Sequence, residues 1–258
     1  MSANNINMSG NATIIARNVR ADGGSSVVAC GNLTLRDNAR IEDHNGWGGD
    51  GGAIGIGFLK LYDDSSVLCE GSYADICGGC VSADIVLAGN ASVVAHNTSA
   101  KVQGGALCGQ YPKQNLTMSG TASVDVIGSR AEIEGPTARG GAIYAHDITL
   151  SGASRMRLEQ CSSPCGAAIA TQDAQNLLGG GYVTVDGSSG ARLLVVDAHE
   201  LNTTLGCLNI EANLVDQSGK VIEQPCSACM DPSFPPSHSE ACKCGNSAAN
   251  PVRECCTA

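Results

Sequence analysis

Apolar and polar residues alternate in short bursts along most of the chain, and the bursts recur. With a small residue as anchor, Ala12, Ala39, Ser65, Ala91, Ala122 and Ser154 follow one another at spacings of 27, 26, 26, 31 and 32 residues. Six positions before each anchor stand Ile6, Leu33, Leu59, Ile85, Leu116 and Ile148, and four before stand Met8, Leu35, Leu61, Leu87, Met118 and Leu150. Two positions after it come Ile14, Ile41, Val67, Val93, Val124 and Met156, while the column between, Thr13, Arg40, Ser66, Ser92, Ser123 and Arg155, is wholly polar. Two before the anchor only Gly and Asp occur: Gly10, Asp37, Asp63, Gly89, Gly120 and Gly152. That is turn chemistry, and the alternation on either side of it is the period-2 pattern of strands with one buried face.

A third segment completes each unit. It reads Gly51-Gly52-Ala53-Ile54, Gly78-Gly79-Cys80-Val81, Gly104-Gly105-Ala106-Leu107 and Gly140-Gly141-Ala142-Ile143, with a degenerate Cys165-Gly166-Ala167-Ala168 and a weaker first copy at Gly23-Gly24. Three short strands in about 26 residues, without a helical crossover, fit a coil stacked in parallel on its neighbours at about 4.8 Å. The fold expected is all-β: a right-handed, single-stranded parallel β-helix over residues 1–200, with six clear coils and a seventh through Tyr182 to Val196. Residues 201–224 lose the repeat but alternate around Asp216-Gln217-Ser218-Gly219, as a hairpin capping the last coil would. Residues 225–258 hold Cys226, Cys229, Cys242, Cys244, Cys255 and Cys256 among five prolines, a cysteine-rich tail in which regular strand is not expected. The two long spacings mark insertions at Cys108–Asn115 and Ser129–Arg139, and loops on a rigid solenoid are where binding specificity usually sits.

Composition restricts the partners. Glycine accounts for 33 of 258 residues and charged residues for 16%, and only two Phe, one Trp and five Tyr are present, so small aliphatic side chains must fill the core. A net charge of −10 argues against nucleic acid and anionic membrane surfaces, which reward a basic face. No apolar run is long enough to span a bilayer. Met1 to Gly10 carries neither a basic leader nor an apolar segment, so no secretory signal is expected there.

The unit Leu87-Ala88-Gly89-Asn90-Ala91-Ser92-Val93-Val94-Ala95-His96-Asn97-Thr98-Ser99-Ala100, followed by Gly104-Gly105-Ala106-Leu107, resembles the repeat of chlamydial polymorphic outer membrane proteins. Those repeats join a Gly-Gly-Ala-aliphatic motif to an upstream Phe-x-x-Asn. Here the Asn stands at Asn18, Asn45 and Asn97, and aliphatic residues replace the Phe. The resemblance covers roughly residues 6–170 and implies a β-helical passenger used in adhesion.

Candidate chemistry is sparse. Polysaccharide lyases and hydrolases share the β-helix and need clustered carboxylates with a base. Asp63-Asp64 is an adjacent acidic pair, and Asp63 belongs to the turn column. Asp84 and Asp147 share a strand-start column whose other members are Asn32, Phe58 and Asn115. Five positions after the anchor come Arg17, His44, Glu70, His96, Ile127 and Glu159, so His44, Glu70 and His96 are candidates for a charge ladder or a weak metal site, with a solvated polar row the simpler reading. The next column, Asn18, Asn45, Gly71, Asn97, Gly128 and Gln160, suggests a broken amide ladder at a bend. Binding, if it lies in the inserted loops, falls to Cys108, Gln110, Tyr111, Lys113, Ser129, Arg130, Glu132, Glu134 and Arg139. Asn-x-Ser/Thr triplets at Asn7, Asn11, Asn32, Asn90, Asn97, Asn115 and Asn202 arise largely from the repeat itself.

In the tail, Cys226, Cys229, Cys242 and Cys244 could hold one zinc, but the vicinal Cys255-Cys256 and the even count fit disulfides among all six better. Cys69 and Cys80 face the core without a cysteine at the matching place in an adjacent coil, and are expected reduced. Taken together, the residues point to a non-enzymatic structural or adhesive β-helix without cofactor, at a cell surface or on a virus particle, engaging protein, glycan or other subunits. The alternative is a carbohydrate-active β-helix, either lyase, hydrolase or glycan-binding.

Overall fold

The computed structural model describes residues 2–109, 114–132, 138–164, 166–171, 181–196, 198–200, 210–211, 213–215, 221–223 and 252–255. Among them the chain winds into a parallel β-solenoid with three sheets running along its length. Sheet I has thirteen strands, sheet II eight and sheet III six. Sheet II shows the repeat most plainly, because Thr13–Arg17, Arg40–His44, Ser66–Glu70, Ser92–His96, Ser123–Ile127, Arg155–Glu159 and Arg192–Val196 stack in parallel in that order. The register pairs Ile41 with Val67, Val67 with Val93, Val93 with Val124 and Val124 with Met156, which is the apolar column of the sequence.

The strand before each turn behaves the same way. Leu33, Leu59, Ile85, Leu116 and Ile148 lie in register and expose 2% of their surface or less, and Val183 extends the column by one coil. Ile6, which opens it, is only partly buried, and among the described residues its strand Ser2–Met8 pairs with Val28–Leu35 alone. Full burial of such aliphatic side chains contributes about 1.5–3 kcal/mol each, which replaces what a larger aromatic core would supply.

Each coil turns three corners, and each corner carries one residue with positive φ. At the first stand Gly10, Asp37, Asp63, Gly89, Gly120 and Gly152, at φ between 57° and 73°. At the second stand Asn18, Asn45, Gly71, Asn97, Gly128 and Gln160, so the suspected amide ladder is a row of left-handed corners, with Asn45 Nδ2 donating to Asn18 Oδ1 at 3.2 Å. Asx residues tolerate this conformation best after glycine, which explains both columns.

At the third corner four copies carry two glycines, Gly51-Gly52, Gly78-Gly79, Gly104-Gly105 and Gly140-Gly141, for a different reason. A Cβ on Gly104 would lie 2.1 Å from the Leu107 carbonyl oxygen, and one on Gly105 would lie 2.1 Å from the carbonyl oxygen of Gly141 in the next coil. The first glycine lets the chain turn and the second lets the coils close on each other. The third residue of the motif, Ala53, Cys80, Ala106 or Ala142, points into the core and is fully buried.

Several expectations are corrected. Ile143 pairs with Ile169 and Ala142 N–H donates to Ala168, so the degenerate copy is Gly166-Ala167-Ala168-Ile169, one residue further on than the sequence suggested. Val28 pairs with Ile54, which makes Ser25-Ser26-Val27-Val28 the first copy and puts Gly23-Gly24 out of register. In the tail, Val252–Cys255 pairs in parallel with Leu193–Val196 and adds a strand to sheet II. The stacking edge left by the last coil supplies the unpaired backbone groups that this strand satisfies. Asn213–Val215 continues sheet I in parallel and pairs antiparallel with Val221–Glu223.

The cysteine expectation fails most clearly. Cys69 and Cys80 form a disulfide with Cα atoms 5.6 Å apart. Both do point inward, but the partner was sought one coil away. The interior is narrow enough that a side chain from sheet II meets one from the third corner that follows it. A second disulfide, Cys77–Cys108, joins adjacent coils, again with Cα atoms 5.6 Å apart.

Candidate functional site

The first insertion lies where sheet I breaks, and the second follows the sheet III strand Arg130–Ala131. In the early coils the strands of sheet I are long: Val28–Leu35, Ile54–Leu61 and Val81–Leu87. From Leu107 onward each is split in two, Leu107–Cys108 from Leu116–Met118, Ile143–Ala145 from Ile148–Leu150, and Ile169–Thr171 from Tyr182–Val185. The seam between the halves corresponds to Gly31 and Gly57 in the early coils, where a Cβ would press on the carbonyl oxygens of Asn4 and Gly31. On the upstream side of the seam Cys108, Tyr144 and Ala170, with Cys77 of sheet III, form a small buried cluster of their own.

The loop candidates divide. Cys108 is in the disulfide, and Gln110, Tyr111 and Lys113 lie outside the described residues. Ser129 is fully buried, its hydroxyl 2.8 Å from that of Thr98 in the neighbouring coil. Arg130–Ala131 is a strand of sheet III, and Arg139 is 3% exposed with its backbone bridged to Gln103. The second insertion is therefore shorter than its spacing suggested, because both ends are regular coil. Arg130 Nε donates to Glu132 at 2.9 Å on the surface, and Glu134 lies outside the described residues. The tail candidates Cys226, Cys229, Cys242, Cys244 and Cys256 lie outside them too; Cys255 ends the added strand, and its side chain is not described.

The histidine column is stacked as the repeat required, but only one of its pairs bonds. His44 Nδ1 lies 3.1 Å from Glu70 Oε2, and His44 Nε2 lies 3.9 Å from Glu42 Oε2. His96 is in register beside Glu70, yet its Nε2 is buried without a partner. Among the described residues no group of three His, Cys, Asp or Glu side chains is placed to hold a metal.

The strand-start column resolves into a chain of side-chain to backbone bonds. Asp84 Oδ1 accepts from Asn115 N–H at 3.3 Å, Asn115 Oδ1 from Asp147 N–H at 3.2 Å, and Asp147 Oδ1 from Tyr182 N–H at 2.8 Å. Each carboxylate thus has one oxygen bonded to the backbone of the next coil. Burial holds the Asp84 carboxyl above its ordinary value, opposed by the Asn115 N–H and the Lys60 ammonium. A buried carboxylate that the sequence left unremarked is Asp43, which occupies an inward position between Ala16 and Cys69. Ser26 and Ser72 hydroxyls donate to it at 3.0 and 2.5 Å, and burial still pushes its pKa up.

The same strand-start column contributes to a concave surface with ligand-like chemistry. Phe58 stands there between Asn32 and Asp84 and is 48% exposed. With Asn5, Asn7, Asn32, Thr34 and Lys60, over Leu33, it lines a groove of about 430 Å³ on the outer face of sheet I. Gln114 from the first insertion reaches back to donate to the Gly57 carbonyl at 3.3 Å, beside Phe58. Phe58 could be noticed in the sequence as the one apolar member of a polar column. Its neighbours could not, because which outer columns adjoin depends on the coil. On sheet III a second outward row places the Arg20 guanidinium 3.2 Å from the Trp47 ring centroid, with Tyr73 one coil on.

No protein-family model matches the chain, and neither a curated protein nor a solved structure is detectably similar to it. Among the described residues no helix is long and apolar enough to cross a membrane. The fold itself therefore defines the class: a glycine-cornered parallel β-solenoid.

Proposed function

We propose that this chain is a non-enzymatic β-helical scaffold, displayed at a cell surface or on a particle, that presents loops and one lateral face for binding or assembly. The observation that carries the reading is the regularity of the coils: the strands of sheet II keep their register from coil to coil, while one insertion lies at the seam of sheet I and the other follows Arg130–Ala131 of sheet III. A rod of this kind positions loops without moving them. Two disulfides inside the coils suit an oxidising compartment. The resemblance of the Gly-Gly-Ala-aliphatic unit to an adhesive passenger repeat agrees with it.

The test is to replace residues 110–113, and separately 133–137, with short Gly-Ser links in the whole chain. Folding is then followed by circular dichroism, and assembly and attachment to cell surfaces by sedimentation and bead binding. The scaffold reading expects unchanged folding with lost attachment or assembly. Full attachment by both variants, or release of reducing ends from a polysaccharide panel by the parent protein, would overturn it. The carbohydrate-active alternative has one observation in its favour, the groove around Phe58.

A further inference from the structure

The groove on sheet I combines features that solubility alone does not call for. Of the two phenylalanines in the chain, one is placed half-exposed on a strand whose outward positions are otherwise polar or glycine. A half-exposed ring forgoes part of the stabilisation that full burial would bring, so a flat apolar surface is being offered outward. Around it the side chains of Asn7, Thr34 and Lys60 make no hydrogen bond within the described protein, and Asn5 accepts one from Asn32 Nδ2 at 2.6 Å. Amides and a hydroxyl both donate and accept, which is what a ring of vicinal hydroxyls requires. A pyranose offers that ring of hydroxyls at its edge and an apolar C–H face for the aromatic.

Charge decides between neutral and acidic sugars. Lys60 is the only cation lining the groove, and it already interacts with Asp84 next to Phe58. The whole chain carries −10, so an acidic glycan would approach against the field of the protein. We infer that this groove binds an uncharged glycan, one pyranose stacking on Phe58 with its hydroxyls bonded by Asn5, Asn7, Asn32, Thr34 and Lys60. The inference rests on the scaffold reading and names a ligand class for its lateral face. Asp84 stands beside Phe58 with one of its oxygens bonded to the Asn115 N–H.

The experiment uses the full chain and saturation-transfer NMR. The probes are neutral hexasaccharides of glucose, mannose, galactose, xylose and N-acetylglucosamine, with oligogalacturonate as the acidic comparison, each at about 10 mM, a concentration suited to weak sites. At least one neutral probe should bind. Phe58→Ala should weaken it about tenfold or more, with an unchanged melting temperature because the ring is half-exposed, and Phe58→Trp should retain binding. Three results would overturn the inference: no neutral probe binds, only oligogalacturonate binds, or Phe58→Ala binds as well as the parent. Asn7 and Asn32 both head Asn-x-Ser/Thr triplets, so an intact mass showing a glycan on either would overturn it as well, since the groove would be filled in cis. If every probe fails while loop replacement still abolishes attachment, the inference falls and the scaffold reading stands.

Discussion

Replacing Cys77 and Cys108 together by alanine removes the crosslink between coils, together with the Cys77 sulfur that lies 3.5 Å from the buried Ser82 hydroxyl. The closed loop spans 31 residues, and the chain-entropy relation gives roughly 3.7 kcal/mol for a loop of that length at 25 °C. The Cys69–Cys80 loop spans 11 residues, for which the same relation gives roughly 2.8 kcal/mol. The two loops overlap at residues 77–80, so removing both should cost less than the sum. In a solenoid each coil is stabilised by its neighbours, so the loss should fall first on the coils around Gly78-Gly79 and appear as an earlier, broader transition. Guanidinium unfolding of the parent, the double variant and the parent held under reductant would measure it. The reduced parent controls for the packing of the sulfurs. The double variant should unfold about 2–4 kcal/mol more easily than the oxidised parent, and reductant should have a smaller effect on it than on the parent. Equal stability of all three, or a non-reducing peptide map without the Cys69–Cys80 and Cys77–Cys108 bridges, would refute the reasoning.

Two further outcomes are expected. Gly105→Ala should cost about 3 kcal/mol or more in denaturation midpoint analysis, because its Cβ would meet backbone atoms of Gly141 and Arg130 at 2.1 and 2.5 Å. Gly10→Asn, at φ 63° with nothing within 4 Å, should cost about 1 kcal/mol or less; comparable losses for both would refute the distinction between corners. For Asp43 the folded-state pKa is raised by burial, so its contribution to stability is fully present below the unfolded pKa and is lost as pH rises through the folded one. The parent should therefore gain stability relative to Asp43→Asn as the pH falls from neutral into the acid range, and parallel stability–pH curves for the two proteins would contradict this.

What the sequence by itself determined is what repeats. Stacking equivalent residues about 4.8 Å apart makes every coil impose the same demand at the same place, so the inward aliphatic columns, the Gly/Asp and Asn/Gly corners and the Gly-Gly-Ala motif could be read without coordinates. The reading slipped where a copy had lost its signature, as at Gly166, or where an insertion had no pattern of its own, as at Ser129 and Arg139. The tertiary structure decided whatever depends on distance across a coil rather than along the axis. Cys69 meets Cys80 through the interior because the third corner that follows the sheet II strand faces it there, a relation that the columns do not encode. Asp43 could be read as an inward position in a column of small apolar residues, but the hydroxyls that solvate it come from Ser26 and Ser72 in flanking coils. The groove beside Phe58 likewise exists only once three coils place amides, a hydroxyl and an ammonium around one ring, since a column lists what stacks but not which columns adjoin.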